Sequence, residues 1–137
     1  KYAVRAGGGY NQRFGLYDAI LIKDNHIRAA GGITKAMALL RENCPPMVKV
    51  EVEVTNASEL QEALQGGAAV IMLDNMSPAQ MAEAVRVIDG RALVEASGRV
   101  TLEGVREIAA TGVNYISVGA LTHSVKALDL SLEVVTA

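Results

Sequence analysis

The chain is poor in the residues that staple, stack or break a fold: one cysteine, no tryptophan, one phenylalanine and three prolines. With Cys44 alone no internal disulfide can form, which suits a reducing, cytoplasmic setting. The cysteine stands before Pro45 and Pro46, at an expected helix-to-strand loop, and reads as a bystander thiol. Four tyrosines and one phenylalanine are too few for a base-stacking groove, and a net charge of −2 offers no face to a phosphate backbone. No apolar run approaches the ~18 residues of a membrane span. Neither nucleic acid nor membrane is therefore an expected partner. His26 and His123 lack metal-ligand spacing, which argues against zinc. Gly7-Gly8-Gly9-Tyr10 does not match the dinucleotide-binding glycine pattern, and no Walker-type phosphate loop occurs.

What is present is apolar and regular. Of 137 residues, half are hydrophobic and a fifth charged, enough for one domain with a core but below the ~200 residues of a complete β/α barrel. The chain opens on Lys1-Tyr2 in what reads as the last turn of a helix, so a piece of a longer polypeptide is expected. Gly7 is available there as a left-handed cap. Ala19 to Ile22 then forms a short apolar run that delivers Lys23, Asp24, Asn25 and His26. Thr34 is the expected N-cap of a helix to about Asn43, with Ala36, Met37 and Leu40 inward. Val48 to Val54 alternates as a strand with Lys49, Glu51 and Glu53 on one face. Asn56 with Glu59, and Ser77 with Pro78, spell helix openings. Further strands are expected at Ala68–Leu73, Ala92–Val94 and Tyr115–Val118, and a last apolar stretch covers Leu128 to Val135.

Spacing gives the fold class. Glu53 to Asp74 is 21 residues, Asp74 to Glu95 is 21, and Glu95 to Gly119 is 24, each interval holding one helix and one strand. Right-handed βαβ units require that arrangement. Apolar strands point to a parallel sheet covered on both faces, with polar groups at the strand ends where such folds build their sites. Strand ends near 23, 53, 74, 95 and 119 make five of the eight that a closed barrel needs. The expected fold is α/β: a partial, irregular, open β/α barrel with parallel strands, residues 1–137 forming one segment. A small open doubly wound sheet is the alternative.

Several strand-end groups carry possible chemistry. Glu53 and Asp74, one unit apart, suit Mg²⁺, sugar hydroxyls or a developing positive charge; capping of loop amides is the plainer role. Ser97-Gly98 and Gly119-Ala120 precede helix starts, where backbone N–H groups can hold phosphate or simply make the turn. Lys23 suits an anionic substrate, a Schiff base or a solvated charge. Arg13, after the glycine-rich loop, can clamp a carboxylate. Together these indicate an α/β enzyme segment for a small, anionic, phosphorylated substrate.

The stretch KYAVRAGGGYNQRFGLYDAILIKDNHI, followed in order by VEVEV, MLDN, EASG and GVNYISVGALTHS, resembles quinolinate phosphoribosyltransferase, also called nicotinate-nucleotide pyrophosphorylase (carboxylating), along essentially the whole chain. The resemblance implies a type II phosphoribosyltransferase-like open barrel preceded by an N-terminal sandwich domain, of which this chain is the C-terminal part. It implies joining of quinolinate to phosphoribosyl pyrophosphate (PRPP), with loss of pyrophosphate and CO₂, to give nicotinate mononucleotide for NAD synthesis. By resemblance Gln12, Arg13 and Lys23 face the quinolinate carboxylates. Lys23, Glu53 and Asp74 take the catalytic roles, with Glu53 and Asp74 near ribose and Mg²⁺, and Ser97, Gly98, Gly119 and His123 hold phosphate. It also implies a homodimer or higher homo-oligomer, since the sandwich domain completes a neighbouring subunit's site.

Two positions depart from the family pattern. Gln12 stands where the family usually has His, and Arg99 where Gly commonly follows EASG. Gln carries no charge, which weakens one carboxylate contact, and Arg99 either adds charge at the phosphate loop or crowds it. The family's basic Arg-Lys-Thr segment has no counterpart in the chain, so the segment alone is expected to fall short of full activity. Two rival readings are a lysine-dependent barrel aldolase or isomerase on a phosphorylated substrate, and a non-catalytic fragment that binds phosphate ligands.

Overall fold

In the computed structural model, which describes residues 1–135, five parallel strands form one open sheet. They are β1 (Ile20–Ile22), β2 (Val50–Val54), β3 (Val70–Asp74), β4 (Leu93–Ser97) and β5 (Tyr115–Ile116). Their order in space is their order in sequence, 1-2-3-4-5. A doubly wound sheet reverses direction at a switch point, whereas a barrel adds every strand on the same side of the last. The observed order therefore selects the open barrel segment over the doubly wound alternative.

The helices are α1 (Tyr2–Ala6), α2 (Asp24–Ala30), α3 (Ile33–Asn43), α4 (Ala57–Gln65), α5 (Pro78–Ile88), α6 (Val105–Ala110) and α7 (Ala120–His123). Several starts follow from local chemistry. Ser77 accepts from the Gln80 N–H while the Gln80 side chain accepts from Ser77, and Pro78 loses no bond at the first turn. Asn56 accepts from the Glu59 N–H, but Glu59 reaches back to Thr55 rather than to Asn56. Gly32, not Thr34, caps α3; Thr34 instead donates through its hydroxyl and N–H to Glu62 of α4, a contact across 28 residues that sequence spacing does not show. The left-handed residue after α1 is Gly8 (φ 85°); Gly7 keeps an ordinary φ of −81°. The expected apolar stretch from Leu128 to Val135 forms no helix or strand, and its leucines and valines are exposed.

Burial separates the two faces of the sheet. The core joins Ile22, Val52, Val54, Ile71, Leu73, Val94 and Ala96 of the strands to Ile33, Met37, Leu60, Met81 and Ile88 of the helices. Every one of those strand residues lies on the same face. The helices cover one face only, because successive right-handed crossovers in one direction put them on one side; the other face is also covered at Glu51, Met72 and Glu95. The other face carries Leu21, Glu51, Glu53, Met72, Asp74, Glu95 and Ser97 in matched register.

That register also moves two acids. Met72 pairs with both Glu53 and Glu95, and Asp74 pairs with Ser97. Glu95 therefore shares the row of Glu53 and sits one row below Asp74, although its 21-residue spacing from Asp74 matches the preceding interval; stagger between barrel strands causes the offset. Glu51 and Glu95 are only 7% and 4% exposed. Their buried carboxyl groups lie across β3, and burial followed by the Glu95 charge and a hydrogen bond to Glu95 pushes the Glu51 carboxyl from an ordinary 4.5 up to about 7.

Two outcomes follow for stability. Leu73, fully buried in the centre of the core, gives a loss of about 2–5 kcal/mol on Leu73→Ala, read by denaturant titration. A loss under about 1 kcal/mol would mean the sheet does not bury this face as described. For Glu51, the folded chain holds a proton that the unfolded chain releases above its ordinary value. Stability therefore declines as pH rises from 4.5 to about 7 and levels off beyond. Glu51→Gln cannot titrate, so its melting temperature should vary less across that window than that of the parent protein; parallel profiles would refute the shared-proton arrangement.

Candidate active site at the strand ends

Parallel strands bring their C-terminal ends to one edge, and the chain loads that edge with polar groups. After β1, Lys23 precedes the first turn of α2, and its backbone N–H donates to His26 Nδ1 at 3.0 Å. An accepting Nδ1 leaves the proton of a neutral ring on Nε2. Gly31, at φ 80°, closes α2 by donating to the Ile27 and Arg28 carbonyls. Lys23 continues the Leu21–Glu51 register one step outward and meets Glu53, Nζ to Oε2 3.7 Å, with the lysine half-exposed and the glutamate largely covered. Such a partly exposed pair contributes at most ~1 kcal/mol to stability. Its interest is chemical.

Partial burial raises the Glu53 carboxyl above its ordinary value; Lys23 opposes this, and Asp74 and Asp24 reinforce it. Glu53 and Asp74 thus lie close enough to feel each other, as the sequence spacing led one to expect. Two crowded carboxylates provide hard oxygen donors. Among the described residues no group of three or more His, Cys, Asp or Glu side chains could enclose a metal. A two-carboxylate site suits Mg²⁺, which keeps waters and shares substrate phosphates, better than it suits a protein-caged ion.

An open cavity of about 300 Å³ adjoins this mouth, lined by Arg13, Leu16, Ala19, Ile20, Leu21, Lys23 and His26. Arg13 Nη1 donates to the Ala19 carbonyl at 3.3 Å, which fixes the guanidinium beside β1. Arg13 and Lys23, ten residues apart, line one cavity. Gln12 lies elsewhere: its Nε2 donates to Glu95 at 3.0 Å and to both Glu51 oxygens at 3.3 and 3.4 Å.

At β3 and β4 the loops interlock. The Asn75 N–H donates to the Ser97 carbonyl at 2.9 Å, and Arg99 Nε donates to Asn75 Oδ1 at 3.1 Å. A Cβ on Gly98, at φ 95°, would stand 2.6 Å from the Asn75 side chain and 2.8 Å from its N–H nitrogen, so only glycine fits. Arg99 therefore ties two loops together. Gly119 and His123 pack on each other at the β5 end; a Cβ on Gly119 would meet the imidazole at 2.9 Å, and His123 Nδ1 pairs with Ser124. Among the described residues, neither bonds to Lys23, Glu53 or Asp74.

Sequence reading passed over Glu51, Glu95, Ser117 and Asn75 as site groups, and took His26 only as part of a polar cluster. The one available signal was the face shared by Glu51 and Glu53 in VEVEV. Ser117, whose hydroxyl donates to Glu95, and Asn75 become partners only through register.

A family profile described as quinolinate phosphoribosyl transferase, C-terminal domain, matches residues 1–133. The chain is 52% identical over 134 residues to a probable nicotinate-nucleotide pyrophosphorylase (carboxylating) of Bacillus subtilis, covering 98% of the chain and 46% of that relative. It is 48% identical over 155 residues to quinolinate phosphoribosyltransferase (decarboxylating) 1b of Nicotiana tabacum, covering 99% and 44%. The fold is similar to the crystal structure of NadC from Streptococcus pyogenes, with TM-score 0.88, 47% identity, and 97% and 47% coverage. The nicotinate-nucleotide pyrophosphorylase from Francisella tularensis gives TM-score 0.85 at 49% identity, with 95% and 46% coverage. The chain spans a little under half the length of these relatives. On this match of sequence, fold and strand-end chemistry, the chain belongs to the quinolinate phosphoribosyl transferase family as its C-terminal domain.

Proposed function

We propose that this domain supplies the catalytic edge of a quinolinate phosphoribosyltransferase, transferring phosphoribosyl from PRPP to quinolinate and releasing pyrophosphate and CO₂. The observation that carries this reading is the meeting of a cationic cavity, Arg13 and Lys23, with the acids Glu53 and Asp74 across the 3.7 Å Lys23–Glu53 contact. A dicarboxylate needs the first and a ribose cation needs the second.

Arg13 and Lys23 hold the two quinolinate carboxylates and set the ring nitrogen toward the anomeric carbon. As pyrophosphate leaves, positive charge grows on the ribose, and the Glu53 and Asp74 carboxylates stabilise it. Mg²⁺ held by Glu53 and Asp74 would neutralise the leaving pyrophosphate. Ser97, Gly98, Gly119 and His123, at the neighbouring strand ends, serve the phosphate groups of PRPP and product. Once ribosylated, the ring nitrogen is cationic and stabilises the electron pair left on the adjacent ring carbon when CO₂ departs, and a proton from solvent then completes the C–H bond. The product is nicotinate mononucleotide, an NAD precursor, and a cytoplasmic homodimer or higher homo-oligomer is the proposed working form. A Schiff-base role for Lys23 lacks the desolvated setting that an imine-forming lysine needs, since its side chain is half-exposed and ion-paired.

The test is formation of nicotinate mononucleotide from PRPP and quinolinate with Mg²⁺, in the 137 residues alone and in the full-length protein. Turnover is expected in the longer chain and much reduced turnover in the shorter; none in the longer chain, or a borohydride-trapped imine at Lys23, would overturn the reading. Lys23→Ala should lower kcat/KM for quinolinate by roughly 10²-fold or more, and Asp74→Asn should raise the Mg²⁺ concentration needed for half-maximal rate. EDTA should stop the reaction and excess Mg²⁺ restore it; indifference to EDTA would remove the metal from the scheme.

A further inference from the structure

Residues 10–18 form neither helix nor strand, and among the described residues they make no backbone–backbone hydrogen bond. Three glycines precede them, so little in the backbone restrains the segment. Side chains hold it instead. The Asp18 carboxylate accepts the N–H groups of Phe14 and Gly15 at 2.8 and 2.9 Å, which folds the segment on itself. Arg13 ties it to Ala19. Lys1 Nζ donates to the Arg13 and Phe14 carbonyls. Among the described residues of the segment, only Gln12 reaches the far strands, donating to Glu51 of β2 and Glu95 of β4, which are 39 and 83 residues away in sequence. Those two glutamates are buried, and Ser117, just past β5, donates to Glu95 as well.

We propose that Gln12 is a positioning residue: its amide, bridged across Glu51 and Glu95, seats the glycine-rich segment on the polar face and so aims Arg13 into the cavity. A quinolinate contact is then made by Arg13, one residue on, not by Gln12. The amide suits this role because it donates to two acceptors and carries no charge of its own. The inference rests on the proposed phosphoribosyl transfer for the identity of the ligand, but the bridge itself can be read without turnover.

The experiment compares Gln12→Ala, Gln12→Glu and the donor–acceptor swap Gln12→Glu with Glu95→Gln in the full-length protein. Exchange of the Phe14 and Gly15 N–H groups, which the Asp18 carboxylate protects, reads how firmly the segment is seated, and the KM values for quinolinate and PRPP with kcat read the effect of the bridge. Loss of hydrogen bonds to charged groups should speed exchange of the segment about tenfold in Gln12→Ala and raise the quinolinate KM about tenfold. The PRPP KM and kcat should stay within about twofold, since Glu53 and Asp74 are untouched. Gln12→Glu should be worse, because it opposes two acids, and the swap should recover part of both readouts relative to Gln12→Glu, since it restores a donor–acceptor pair with position 95 while leaving the new carboxylate against Glu51. A raised quinolinate KM without faster exchange would make Gln12 a direct ligand and overturn the inference. Faster exchange with an unchanged KM, or failure of the swap to rescue, would overturn it too. If the parent protein turns over no quinolinate, the functional reading fails while the exchange data still decide the bridge.

Discussion

Everything in this domain depends on helices packing against one face of a parallel sheet. Because β1 to β5 are laid down in sequence order, each right-handed crossover places its helix on the same side. Val52, Val54, Ile71, Leu73, Val94 and Ala96 meet those helices and form the core. Their neighbours at every second position are left to line the other face. A strand such as VEVEV is then a division of labour written in alternation: valines hold the fold, glutamates supply charge. The hydrophobic face makes the polar face affordable, since a residue such as Leu73 contributes ~1.5–3 kcal/mol by burial alone.

The polar face is itself layered. At the mouth, Lys23, Glu53 and Asp74 remain within reach of solvent and ligand. Deeper on the same face Glu51 and Glu95 are closed off, and burial together with the Glu95 charge pushes the Glu51 carboxyl up to about 7. Gln12 and Ser117 supply donors to them, so both buried acids keep hydrogen-bond partners, and Arg13 opposes the rise of the Glu51 carboxyl. The same glutamates thereby become anchorage for a segment with no secondary structure. Arg13, the cavity's guanidinium, sits in that segment.

Arg99 and Gln12 each reach across to a neighbouring part of the sheet. Arg99, at φ 49°, bonds to Asn75 on the neighbouring loop and so joins two strand ends that Gly98 brings into contact. Gln12 turns toward acids rather than toward the cavity. Arg99 finds its partner on the loop after β3, and Gln12 finds its partners on β2 and β4.

The sequence by itself determined the strands, most helix starts and the strand-end placement of Lys23, Glu53 and Asp74, because these depend on alternation, caps and spacing, which are local. The family was legible too, since its motifs lie in order along the chain. Tertiary structure alone decided which alternation faced which layer. The stagger that puts Glu95 beside Met72, the Gln12 bridge to β2 and β4, and the Thr34–Glu62 contact all join residues far apart in the chain. Register between strands has no local signature: the same sequence of spacings is compatible with several staggers, and only simultaneous packing of every apolar side chain under the helices selects one. At Glu95 that selection turned an expected strand-end acid into a buried partner of Glu51.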